Sequence, residues 1–273
     1  MAATTAATPR QVRAPQAGGA WPLRLGRLAA LALLAGCTAA PGIGAEDRRV
    51  AVNVTEAPWH AVGLVTTDSG TRCTGVLVSQ RAVLTAAHCL FDPRSARRTE
   101  ARLVRFRLAP ETQGGGPSGR VERIMMGPGY SVRPGPRHDP AAPPDSDWAL
   151  LVLEAPVGTP GRVLGLAAGY MAPGTALVFG GYQADRRELV ADVHCGVVAL
   201  GRDAGGRIMM RHSCVATSGS SGGPLFTRGP GGAWVVAGIG SMADAGLAGG
   251  WAVPTAAIAR AVLTAAAAEQ ANR

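Results

Sequence analysis

Apolar residues in this chain come in many short runs broken by Gly/Pro turns, and long helical periods are scarce. That pattern predicts strands rather than helices. The runs place strands near 60–66, 73–79, 82–86, 102–108, 120–126 and 148–153 in the first part of the chain. A second set follows near 175–181, 189–199, 207–213, 224–227, 233–239 and 250–253. Two loops between them, 109–119 and 127–146, are rich in Gly and Pro and are expected to be exposed, with substrate access passing over the second. One helix is predicted, opened by Pro254 and placing Ile258, Val262 and Ala265 on one face. The fold class that follows is all-β.

Composition narrows this picture. The chain has 273 residues, 47% of them hydrophobic, enough for one large core or two small ones. Gly (38) and Pro (20) are abundant, yet short of a disordered composition. The formal net charge is +9, carried by arginine alone, for the chain has no lysine. Four arginines precede residue 28. The densest basic cluster, Arg94 to Arg107, has no aromatic partner but Phe106, so a solvated basic face fits better than a nucleic-acid surface. No nucleic-acid partner is expected.

Chemistry enters at Gly219-Ser220-Ser221-Gly222-Gly223-Pro224-Leu225. A hydroxyl flanked by glycines can sit on a tight turn with backbone amides aimed at one point in front of it, as a serine nucleophile requires. Upstream, Val83-Leu84-Thr85-Ala86-Ala87-His88-Cys89 ends a β-type run on a histidine, and Asp145-Ser146-Asp147-Trp148 puts an acid before an apolar strand. His, then Asp, then Ser is the chain order of one known catalytic triad. An esterase of the α/β-hydrolase type is excluded by that order, because its histidine follows the serine. Within the motifs, Ser218 and Ser220 lie outside the G-x-S-G-G frame, and Asp145 lacks the strand in register. His60, His194 and His212 have no motif support. No clean metal-ligand spacing is present, so neither a metal nor a cofactor is expected.

These three motifs resemble those of trypsin-like, chymotrypsin-fold serine proteases, specifically the bacterial secreted branch. T-A-A-H-C at 85–89, D-W-A-L-L at 147–151 and G-S-S-G-G-P-L at 219–225 carry the resemblance, with Pro58-Trp59 and Cys73-Thr74-Gly75 in support. It implies two six-stranded antiparallel β-barrels with a C-terminal helix, spanning 47–268 with a junction near 154–174. It also implies a serine endopeptidase acting through His88, Asp147 and Ser221, with an oxyanion hole at Gly219 and Ser221. The substrate is then a protein or peptide, and the enzyme a monomer. The rival reading is a catalytically inactive homologue serving as an envelope binding or assembly module.

The resemblance further implies a Cys73–Cys89 disulfide in the histidine loop, and a second pair, Cys195–Cys214, can close a hairpin before the serine loop. Such bonds belong to oxidising compartments. By alignment, Val215 falls near the base of the primary specificity pocket, with Ser241 and Met242 on the substrate-backbone strand. No carboxylate stands at Val215, so a preference for Arg or Lys lacks its driver. Gly240 stands where glutamyl endopeptidases carry a histidine, and a small or apolar residue is the expected preference. One departure is Ser220. Animal trypsins have Asp there, paired after cleavage with the new α-amine. A hydroxyl cannot form that ion pair, so other hydrogen bonds are expected to hold the loop, and Arg49-Val50-Ala51 is only a poor echo of the animal activation site.

Residues 1–37 read as a targeting segment: Arg24 and Arg27 precede an apolar run, Leu28 to Ala35, too short for a mature membrane span. It ends Leu34-Ala35-Gly36-Cys37, similar to the lipobox of bacterial lipoproteins, which implies a lipidated Cys37 and a membrane tether through 38–46. Ordinary signal-peptidase cleavage among residues 35–45 is the competing reading. Either way the protein is expected to be exported, to the periplasm or outer membrane or into the medium.

Overall fold

The computed structural model describes residues 47–109, 116–134, 139–244 and 248–260. The expected leader, tether and Cys37 lie outside the described residues.

Six strands close the first barrel: β2 (Val62–Thr67), β3 (Arg72–Ser79), β4 (Ala82–Thr85), β5 (Val104–Leu108), β6 (Ser118–Met126) and β7 (Ala149–Leu153). They are joined in the order β2-β3-β4-β7-β6-β5, every pair antiparallel. In β5 Val104, Phe106 and Leu108 are buried while Arg105 and Arg107 face solvent, the two-residue alternation of a barrel wall. Phe106 fills the interior across from Gly63, where a Cβ would stand 2.4 Å from its ring. A side chain at that position would displace Phe106, which is fully buried.

The second barrel is built from β9 (Ala176–Tyr182), β10 (Leu189–Arg202), β11 (Ile208–His212), β12 (Pro224–Arg228), β13 (Trp234–Ala243) and β14 (Gly250–Pro254). The order is β10-β11-β14-β13-β12-β9, and a β9–β10 pairing completes the ring. Two short strands outside the expected set attach to it. β1 (Arg49–Ala51) pairs antiparallel with β10, and β8 (Gly165–Leu166) pairs parallel with β13. Both are too short to leave a hydrophobic period in the sequence. The helix follows at 255–260. Pro254 is the last residue of β14, opposite Gly238, so it ends the strand rather than opening the helix.

The barrels meet through Trp59 and a glycine pair. The Trp59 ring packs edge-on against Phe226 at 5.5 Å between centroids and lies where a Cβ of Gly180 would stand, at 2.4 Å. Next along β9, a Cβ at Gly181 would meet Thr74 Oγ1 at 2.5 Å. The missing side chains let β9 press against β3, and the Tyr182 amide donates to Thr74 Oγ1 at 2.9 Å. This junction sets one barrel's strand ends against the other's, which is where the three motifs converge.

Candidate active site

His88 and Asp147 come from the first barrel. The 3₁₀ turn Ala87–Leu90 leaves β4 and carries His88, while Asp147 caps the turn that leads into β7. Because β4 and β7 pair, with Thr85 opposite Ala149, the two residues emerge side by side. Asp147 Oδ2 lies 2.9 Å from His88 Nδ1, and its Oδ1 accepts the His88 backbone amide at 2.9 Å. This grip puts the proton on Nδ1 and makes Nε2 the basic nitrogen of the neutral ring. Asp147 is 1% exposed, so its charge must be met inside the protein. Two further donors do so: the Ser241 hydroxyl at 2.5 Å and the half-buried Tyr130 hydroxyl.

The electrostatics follow from that arrangement. Burial alone would lower the His88 pKa, but the Asp147 charge and hydrogen bond outweigh it and leave the imidazole above its ordinary 6.5. Burial pushes Tyr130 up, and the neighbouring Asp147 carboxylate pushes it further, so it remains a neutral donor.

Ser221 comes from the second barrel, on the turn before β12. Gly219 and Gly222 both have positive φ, +94° and +75°, a conformation that costs other residues about 1 kcal/mol or more. The turn is pressed onto the first barrel. Thr74 donates its amide to the Ser221 carbonyl at 2.9 Å and its hydroxyl to the Gly219 carbonyl at 2.8 Å. A Cβ at Gly222 would stand 2.1 Å from Thr85 Oγ1 and 2.7 Å from the Ala86 amide, two residues before His88. Among the described residues the amides of Gly219 and Ser221 donate to nothing, and the Ser221 hydroxyl makes no hydrogen bond. In enzymes without substrate the serine–histidine bond is commonly long and tightens on binding.

A pocket of about 160 Å³ opens beside Ser221, lined among others by Ala216, Gly240, Ser241, Met242 and His212. Ser241 and Met242, both on β13, are among its walls. The Val215 amide donates to Asp192 Oδ2 at 2.9 Å, and its neighbour Ala216 lines the pocket. His212 was not legible in the sequence, since it sits nine residues before Ser221 outside any motif. The Cys214 amide donates to its Nδ1 at 3.2 Å, which assigns the neutral ring's proton to Nε2. Burial, opposed by Asp244 and Asp192 and aided by Arg211, lowers its pKa to about 4.

Both cysteine pairs are bonded, Cys73 to Cys89 and Cys195 to Cys214. The first ties β3 to the histidine turn, and the second ties β10 to the start of the serine loop. With Cys73 and Cys89 oxidised, their clustering with His88 offers no thiolate to a metal.

Comparisons with known proteins agree with this fold. Residues 48–262 match the family model described as Trypsin. A glutamyl endopeptidase of Bacillus licheniformis is 25% identical over 188 residues, covering 68% of this chain and 54% of that protein; the chain spans about half the length of that curated relative. Among solved structures, a Glu endopeptidase in complex with MPD superposes with a TM-score of 0.63 at 17% identity, over 82% of this chain and 99% of that one. A protease of M. tuberculosis in its active form gives 0.51 at 18% identity, over 74% and 79%. At such identities the structural likenesses speak for the fold.

Proposed function

This chain belongs to the trypsin family of serine proteases, and from that premise we propose that it is an active serine endopeptidase exported to the bacterial cell envelope. The observation that carries the reading is the pair of amides, Gly219 and Ser221, that donate to nothing among the described residues, on a turn whose Ser221 carbonyl lies 3.8 Å from the Sγ of Cys89, the residue after His88. Ser221 Oγ attacks the scissile carbonyl while His88 Nε2 takes its proton. The tetrahedral oxyanion is received by the two amides, each worth about 3–4 kcal/mol in comparable sites. His88 then returns the proton to the leaving amine, giving an acyl-enzyme on Ser221 that water opens by the same steps in reverse. Asp147 holds the ring's orientation and stabilises its charged form.

Labelling the protein with a fluorophosphonate, with Ser221→Ala as control, tests this. Ser221-dependent labelling is expected. An inactive homologue acting as a binding module predicts none.

Among the described residues lining the proposed specificity pocket none carries a carboxylate to hold Arg or Lys, and Ala216, Gly240 and Met242 favour a small or apolar side chain. A second reading rests on His212, which lines the pocket with its proton on Nε2 and offers a carboxylate a donor from a different strand than Gly240. The likeness to a glutamyl endopeptidase supports it. Profiling with a peptide library separates them: the first gives cleavage after Ala, Val or Leu, the second after Glu with loss of that preference in His212→Ala.

Export rests on the two disulfides and the apolar run before Cys37. Mass spectrometry of the native N-terminus distinguishes a diacylated Cys37 from a plain cleavage site.

A further inference from the structure

Two consecutive arginines ahead of the first barrel reach across to the loop that carries Ser221. Arg49 is 5% exposed in its side chain, though it begins a three-residue strand on the outside of the second barrel. Its guanidinium pairs with Asp47 at 2.7 Å and Asp185 at 2.7 Å. It also donates to Gln183 Oε1 at 2.6 Å and Thr217 Oγ1 at 3.2 Å. Gln183 Oε1 in turn accepts the Thr217 amide at 2.8 Å, and Thr217 Oγ1 donates to Asp185 at 2.7 Å. The Thr217 carbonyl then accepts both the amide and the hydroxyl of Ser220, at 3.1 and 2.6 Å. Arg49 is thus two hydrogen bonds from the residue preceding Ser221.

Arg48 grips the other end of the same loop. It donates to Asp192 at 2.9 Å and to the Ser213 carbonyl at 3.1 Å. Asp192, fully buried, accepts the Val215 amide at 2.9 Å. Between the two arginine contacts lies Cys214 with its disulfide. The loop is therefore fastened at 213–215 and again at 217. The geometry of the unpartnered Gly219 and Ser221 amides depends on those fastenings, because the 217–220 turn is a single hydrogen-bonded unit.

Ser220 explains why side chains are needed here. Its hydroxyl is spent as a donor inside the loop, so no acid stands before the nucleophile to receive a terminal ammonium. A guanidinium inside the chain supplies equivalent positive charge and needs no free N-terminus. It also offers a planar fork that fits two carboxylates at once.

We propose that Arg49, seconded by Arg48, is the positioning residue that sets the serine loop in its oxyanion-binding conformation, so that the protease is competent with the residues upstream of Asp47 still attached. This rests on the endopeptidase reading above. The test uses the full chain as wild type, Arg49→Met, Arg49→Lys, and a form with a specific protease site inserted between Glu46 and Asp47. Arg49→Met is expected to lose on the order of 10²-fold in kcat, the scale of one lost oxyanion donor, with KM changed less than about threefold on that basis. Affinity for a peptide aldehyde, which captures the oxyanion, is expected to fall in parallel, and millimolar guanidinium to restore part of the rate. Arg49→Lys keeps charge without the fork; it is expected to lose about tenfold, and its kcat decides the matter if Arg49→Met does not fold. Cutting the inserted site is expected to leave activity unchanged.

Wild-type kcat in both arginine variants overturns the proposal. So does a loss shared equally by kcat, KM and thermal midpoint without guanidinium rescue, or activity that appears only after the cut. A wild-type chain with no Ser221-dependent labelling is a different result, which overturns the endopeptidase reading itself.

Discussion

Ser241 Oγ, on β13 of the second barrel, donates to Asp147 Oδ2, at the entrance to β7 of the first, over 2.5 Å. The bond is buried and joins residues 94 apart in sequence. It makes the orientation of the Asp147 carboxylate depend on how the two barrels dock. Ser241 is thus both a wall of the pocket beside Ser221 and a support for the His88 partner.

Ser241→Ala removes one donor from a buried carboxylate that keeps three others. Hydrogen bonds to charged groups are worth about 1.5–3 kcal/mol, so kcat is expected to fall roughly 10- to 100-fold. The fold should survive, because the barrels are also held by Trp59, Phe226 and the β3–β9 contact. Steady-state kinetics beside a thermal melt checks both parts; unchanged kcat would mean that Ser241 serves the pocket alone.

Protonation of His88 sets the acid side of the activity profile. Burial tends to lower its pKa, and Asp147 more than reverses this, leaving it above 6.5. Only the neutral ring can accept the Ser221 proton, so activity is lost as pH falls through that raised value. The acid limb of kcat/KM is therefore expected above pH 6.5. Asp147→Asn removes the charge that holds it there; the limb should move to lower pH and kcat drop about 10⁴-fold. A profile of kcat/KM between pH 5 and 9 for both proteins decides it.

The motifs around His88, Asp147 and Ser221 were legible because each combines a special backbone need with a reactive group, and such needs fix local sequence. The glycines at 219 and 222 are an example: only a residue without Cβ takes that turn against Thr85. The two barrels were legible from runs such as β5 and β7, whose period matches their burial. What supports the site was not. Arg49 acts through partners 134 to 168 residues away, and no local pattern marks a residue whose partner is that distant. Tyr130 and His212 reach Asp147 and the pocket from outside any motif.

The Cys73–Cys89 disulfide ties β3 to the turn that carries His88. Removing a native disulfide from a small exported domain costs about 2–5 kcal/mol. Cys73→Ala/Cys89→Ala is expected to lower the thermal midpoint and, by loosening the His88 turn, to reduce kcat as well. Cys195→Ala/Cys214→Ala loosens the loop start near the arginine contacts instead. Midpoints and kcat measured with and without reductant on wild type check the first pair; a reductant-insensitive midpoint would show that the bond adds no stability.

His212 makes stability itself depend on pH, with a sign opposite to that of His88. Burial, outweighing the attraction of Asp244 and Asp192, holds the folded-state pKa near 4, whereas an unfolded histidine titrates near 6.5. Between these values the unfolded chain carries a proton that the folded chain refuses, so acid drives unfolding. The stabilisation is complete above about pH 6.5 and is lost progressively as pH falls toward 4, amounting to about 3 kcal/mol at most. His88, raised rather than lowered, gains relative stability below its folded pKa and cannot produce this loss. Denaturant unfolding of Ser221→Ala, which removes the nucleophile and so prevents self-cleavage, should show the decline between pH 6.5 and 5, before most carboxylates protonate. His212→Asn in the same background keeps an acceptor for the Cys214 amide but cannot titrate, and its stability should stay flat over that interval. An equally steep decline in the asparagine variant would assign the acid sensitivity to another group.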